Sequence, residues 1–175
     1  MLIKNYGLFW ERKVVDWSRR RGPLLGLGVR KKRQDPVDFT YQRGIYCLYD
    51  DNFRLIYVGQ AGGRDDSERG IYRRMWSHTR NDLAQRWTRF SWFGIREPDE
   101  RANGKQYREL LEYRAPEGPL RAGQILDQFE SVMILAAEPA RNFQSRSFGG
   151  DAHHYRQFDP SIGGSDDPDA EELEE

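Results

Sequence analysis

Apolar positions along this chain fall in short blocks separated by charge. Gly44-Ile-Tyr-Cys-Leu-Tyr49 and Arg54-Leu-Ile-Tyr-Val-Gly59 are rich in β-branched and aromatic residues, and they flank the polar run Asp50-Asp51-Asn52. Two such runs around a polar turn predict a β-hairpin. Strict alternation in the second run sends Ile56 and Val58 to one face and Leu55 and Tyr57 to the other. Phe90-Ser-Trp-Phe-Gly-Ile95 predicts a third strand. Between hairpin and third strand lie a Gly/Asp/Ser-rich loop over 61–69 and then a helix over 70–81. In that helix Ile71 and Met75 stand four apart, and Arg74 and His78 share an adjacent face. Residues 97–120 read as an excursion, broken by Pro and Gly, with a short helix at Tyr107–Tyr113. A longer helix is expected over 121–137, where Ile125, Phe129, Val132, Met133 and Ala136 recur at helical spacing before Glu138-Pro139 ends it.

The first 40 residues differ from this body. Leu8, Phe9, Trp10, Val14, Val15 and Trp17 interleave with charge at the spacing of a short amphipathic helix, which Arg19–Arg21 would close. Gly22-Pro23 then breaks the pattern. Residues 1–40 are therefore expected to be a helical, basic arm, residues 41–148 the folded domain, and residues 149–175 an acidic, disordered tail. Charge sharpens the division. The chain of 175 residues is formally neutral, with 28 basic and 28 acidic side chains. The arm nevertheless carries ten basic against four acidic groups, and the last 25 residues one against nine. A neutral total thus hides a basic body. Arg19, Arg20, Arg21, Arg30, Lys31, Lys32 and Arg33, with Trp10 and Trp17 beside them, form a candidate nucleic-acid surface, and a solvated basic face is the competing reading. The longest charge-free apolar run near the start, Gly22–Val29, falls far short of the ~20 residues needed to cross a bilayer. Cys47 is the single cysteine, which excludes an intramolecular disulfide. Both features point to a cytoplasmic protein with no membrane partner.

Within the body, Gly44-Ile45-Tyr46 and, ten residues on, Tyr57-Val58-Gly59 resemble the paired tripeptides of the GIY-YIG nuclease superfamily. Ile71-x-x-Arg74-x-x-x-His78 is similar to that family's helix signature. Glu130 on the later helix and Asn142 twelve residues beyond complete its order. Any one element is weak, and their conjunction across residues 44–142 is specific. The resemblance implies an α/β (α+β) module, a small three-stranded antiparallel sheet flanked by helices, that hydrolyses phosphodiester bonds in DNA with one divalent ion, Mg²⁺ or Mn²⁺, and no small-molecule cofactor. It implies Tyr57 as general base, Tyr46 as a second phenol ordering water or phosphate, Arg74 on the scissile phosphate, Glu130 on the metal and Asn142 as a positioning group. His78 stands where members carry His or Tyr. The longer loop over 61–69 leaves Arg73 as the alternative phosphate clamp.

The chemistry is coherent by itself. An attacking water must lose a proton while charge grows on phosphate, which calls for a base, a cation on the non-bridging oxygens and a metal. A phenol with an ordinary pKa near ~10 is a poor base unless nearby groups favour phenolate. Arg suits the phosphate because its planar fork binds two oxygens and stays charged. One carboxylate suffices for Mg²⁺, whose shell water and phosphate complete. Each residue also has a plain alternative: strand aromatics for Tyr46 and Tyr57, a solvated helix face for Arg74 and His78, an edge position for Glu130, a turn cap for Asn142. His153-His154 lacks the spacing of a metal site. A non-cleaving nucleic-acid-binding module on the same fold is the rival function, a protein-binding adaptor the third. Double-strand cutting would require a homodimer.

Overall fold

The computed structural model describes residues 2–18, 23–29, 35–61, 70–101, 107–112, 132, 136–137 and 152–162. Its strands are β1 (Asn5–Glu11), β2 (Leu25–Gly28), β3 (Val37–Asp38), β4 (Gly44–Tyr49), β5 (Leu55–Ala61), β6 (Arg89–Gly94) and β7 (His153–Gln157), with one helix of defined bounds among the described residues, α1 (Ile71–His78). They form a single seven-stranded sheet in the order β3-β2-β7-β1-β6-β4-β5. Every pairing is antiparallel except β1 with β7. The expected hairpin, third strand and first helix are all present, as the antiparallel run β5-β4-β6 carrying α1. The expected architecture of a small three-stranded sheet flanked by helices is wrong, because four more strands extend β6 outward.

The largest correction concerns the N-terminus. The segment expected as a helix in an arm is β1, which lies in the middle of the sheet between β7 and β6. Helical spacing misled because the apolar run Leu8-Phe9-Trp10 contains a bulge. The register with β6 shifts between Gly7 and Trp10, and Phe9 sits at a φ of 52°. The extra residue breaks the two-residue period that would have announced a strand. The tail expected to be disordered over 149–175 is ordered where the structure describes it, at residues 152–162, and its remainder lies outside the described residues. His153–Gln157 carries little apolar content, yet it pairs with β1 on one side and β2 on the other and sinks Tyr155 into the core. A strand between two others is held by its ladder and one anchoring side chain, neither of which composition reports.

Both faces of the sheet are buried. One carries Trp10, Phe39, Tyr46, Leu48, Phe90, Trp92 and Tyr155, covered by Ile71, Tyr72 and Met75 of α1. The other carries Ile3, Cys47, Tyr49 and Phe93 against Val132 and Ala136, which are helical in the structure. The remainder of the helix expected over 121–137 lies outside the described residues. Two-sided burial explains why β6 reads as a nearly continuous apolar run rather than an alternating one. Beyond β6, residues 107–112 are extended and not helical as expected. Arg108 and Leu110 make isolated bridges to Val37 and Pro98, and the Arg96 guanidinium pins the segment by donating to the carbonyls of Leu111 (2.7 Å), Leu110 (3.2 Å) and Tyr41 (3.0 Å). No helix among the described residues is long and apolar enough to cross a membrane.

Candidate functional site

The glycines of the two tripeptides have separate physical reasons. Gly44 has a φ of 142°, and a Cβ there would overlap the Phe93 carbonyl oxygen. Only glycine takes that backbone without strain. Gly59 faces Tyr46 across the β4–β5 ladder, where a Cβ would overlap the Tyr46 ring and hydroxyl. The second glycine is therefore a recess that the first tyrosine fills.

The alternation expected for β5 fails at its start. A register shift between Leu48 and Tyr49 places Leu55 with the Cys47–Tyr49 cluster, while Ile56 and Tyr57 pack toward α1. Tyr57 shares a face with Tyr46 because the ladder Tyr46–Gly59, Cys47–Val58, Leu48–Tyr57 runs in unbroken register, and the shift beyond it moves only Leu55 to the opposite face. Its ring is 6.0 Å from that of Tyr46 and 4.6 Å from the His78 imidazole, centroid to centroid.

His78 ends α1 on its buried side, not on a solvated face with Arg74: Ile71, Tyr72, Met75 and His78 are the buried residues of the helix, and Arg73 and Arg74 are exposed. Gly70 starts the helix tightly against the Thr40–Tyr41 backbone, and the Ile71 N–H donates to the Gln42 carbonyl at 2.8 Å, which sets the helix at this depth. His78 Nε2 then lies 2.8 Å from the Tyr46 hydroxyl. Tyr46 itself is 1% exposed, whereas Tyr57 is half-buried.

The direction of the hydrogen bonds follows from the turn after α1. Asn81 Oδ1 accepts the Leu83 N–H at 3.0 Å, so its amide nitrogen faces His78 Nδ1, also at 3.0 Å. An NH₂ group can only donate, which makes Nδ1 the acceptor and puts the imidazole proton on Nε2. Nε2–H donates to the Tyr46 oxygen, which leaves the Tyr46 hydroxyl hydrogen for the side of the neighbouring Tyr57 ring, 6.0 Å away centroid to centroid. Electrostatics agrees with this order. Burial pushes the Tyr46 phenol well above its usual range, and the neighbouring Tyr57, through its charge and as the hydrogen-bond acceptor, raises it further. Burial also pushes the His78 imidazole below its ordinary value, and the Arg74 charge acts in the same sense. The Asn81 contact would oppose this only through the amide oxygen, which the Leu83 N–H occupies. Arg74, and not Arg73, is the arginine whose charge acts on both Tyr46 and His78.

Tyr46, Tyr57 and His78 are thus brought together, and Arg74 stands on the exposed side of the same helix, one turn before His78. Glu130 and Asn142 lie outside the described residues, as do the basic positions Arg19, Arg20, Arg21, Arg30, Lys31, Lys32 and Arg33. Trp10 is 2% exposed in the core, so it leaves the candidate nucleic-acid surface. Trp17 stacks on Tyr72 at 5.5 Å. His154 stacks on Tyr6 at 4.8 Å, and among the described residues no group of three or more His, Cys, Asp or Glu is placed to hold a metal. Asn81 was missed in the sequence. Its only mark there is a turn-forming residue three positions after His78. Neither a protein-family model nor a curated protein nor a solved structure matches the chain.

Proposed function

We propose that this chain is a metal-dependent DNA endonuclease in which Tyr57 is the general base and Arg74 the phosphate clamp. The observation that carries the reading is the convergence of Tyr46, Tyr57 and His78, with the Arg74 charge acting on Tyr46 and His78 from the exposed side of α1. Tyr46 is enclosed, so its part is to link His78 to Tyr57 and not to touch phosphate. Tyr57 can take the proton of an attacking water, while the Arg74 guanidinium stabilises the charge growing on the phosphate.

One carboxylate with phosphate and water oxygens meets the needs of Mg²⁺. Glu130 is the residue that would hold it, and the bound ion would neutralise phosphate charge. The basic body, offset by an acidic C-terminal stretch, suits a polyanionic substrate.

Supercoiled-plasmid nicking tests the proposal. The chain should nick with Mg²⁺ and stop when EDTA is added. Tyr57→Phe should lower the rate by roughly 10²- to 10⁴-fold, the usual contribution of a general base, and Glu130→Ala should abolish metal-dependent nicking without unfolding the protein. Salt-dependent DNA binding with no cleavage would turn the assignment to the non-cleaving module, and full activity in Tyr57→Phe would remove the base.

A further inference from the structure

The imidazole at the centre of this network works in only one of its two neutral forms. With the proton on Nε2, His78 donates to Tyr46, and the Tyr46 hydroxyl hydrogen is left for the side of the neighbouring Tyr57. With the proton on Nδ1, Nε2 becomes an acceptor and captures the Tyr46 hydroxyl, which turns the chain away from Tyr57. Something must select the first form, and the only side chain with a hydrogen bond to Nδ1 among the described residues is Asn81. Its amide cannot rotate freely, because Oδ1 holds the Leu83 N–H across the turn that leaves α1. The same turn is fixed from below, where the Trp87 indole N–H donates to the His78 carbonyl at 3.3 Å and the Ala84 N–H to the Asn81 carbonyl at 2.9 Å.

We propose that Asn81 is a positioning residue that locks His78 as the Nε2–H tautomer, so that the Tyr46 hydroxyl is delivered to Tyr57. Its catalytic consequence rests on the nuclease reading above, whereas the tautomer does not. Asn81 touches no reacting atom. It acts two hydrogen bonds away, through His78 and Tyr46, and it costs the protein little, since a turn-capping Asn is needed at this place in any case.

Asn81→Asp separates the two duties. A carboxylate still accepts the Leu83 N–H, but it cannot donate to Nδ1 and draws a proton there instead. Long-range ¹H–¹⁵N spectra of the full chain report which ring nitrogen carries hydrogen, and the His78 signals among the three histidines are assigned by their loss in His78→Gln. At pH 8 the wild-type ring should be Nε2–H, and in Asn81→Asp it should carry hydrogen on Nδ1. In the nicking assay that variant should show about 10- to 100-fold lower kcat, the effect of one hydrogen bond to a charged group, with KM within about twofold. Asn81→Ser, which keeps an oxygen for the turn but does not reach the ring, should give a mixture of tautomers and answers the question if the Asp variant does not fold. A wild-type ring protonated on Nδ1, or an unchanged tautomer in both variants, overturns the proposal. An altered tautomer with unchanged kcat overturns its catalytic half. An altered tautomer in a chain that never nicks DNA leaves the positioning of His78 standing and defeats the nuclease reading instead.

Discussion

Tyr46 and Tyr49 stand three residues apart on β4, both are 1% exposed, and both hydroxyls are hydrogen-bonded. They nevertheless serve different ends. Tyr49 points to the face opposite α1 and donates to the Ala136 carbonyl at 2.6 Å. A main-chain oxygen neither titrates nor passes a proton on, so that bond is a strut between sheet and helical segment. Tyr46 points toward α1 and meets an imidazole nitrogen at 2.8 Å, with Asn81 behind it and Tyr57 ahead. Burial and residue type are the same in the two cases. The chemistry of the partner separates a packing tyrosine from one embedded in a reactive group.

Three experiments would break or sharpen that contrast. The largest effect is expected from Gly59→Ala, because the added methyl overlaps the Tyr46 ring. It should cost about 1–3 kcal/mol in denaturant unfolding, the usual cost of overpacking a tight site. The loss should shrink when combined with Tyr46→Ala, which empties the recess. Additive losses would mean that the glycine is needed for another reason. Next comes the pair Tyr46→Phe and Tyr49→Phe. Each leaves one buried hydrogen-bonding group unpaired and should lower stability by roughly 1 kcal/mol. Only Tyr46→Phe should slow nicking, and an equal loss of activity in Tyr49→Phe would erase the distinction.

The smallest effect is a pH dependence confined to the α1 side. The folded His78 imidazole titrates below the 6.5 of the unfolded chain, chiefly through burial. Below that pH the unfolded chain binds the proton more readily, so stability is full above about 6.5 and falls as acid is added, by at most about 1.4 kcal/mol per pH unit. Urea midpoints across pH 5–8 should show this slope in the wild type and a shallower one in His78→Gln. Equal slopes would place the titration elsewhere.

Much of the candidate site could be read from the letters, since the two tripeptides and the helix signature are local. Gly44, Tyr46, Tyr57, Gly59, Arg74 and His78 lie within 35 residues, and their hairpin and helix obey short-range rules. The outer sheet could not be read this way. β1 carries a bulge that hides its period, β2 is the glycine-interrupted Leu-Gly-Leu-Gly, and β7 is nearly polar. Those strands exist because distant ladders accept them. Strict alternation also failed to place Leu55, for a related reason. Alternation is counted from the strand's start, and a single shifted register between Leu48 and Tyr49 reverses the count for Leu55.

Local sequence alone settled which residue types were present at chemical spacing, where the hairpin turns, and that one short helix follows it, because each depends on contacts between near neighbours. Tertiary structure decided the rest: that the first strand is central, that Tyr46 is sealed while Tyr57 is not, and that Asn81 faces the ring of His78. Those outcomes depend on which distant segments pack together, and a proton's place on an imidazole depends on the groups that packing brings to either side of it.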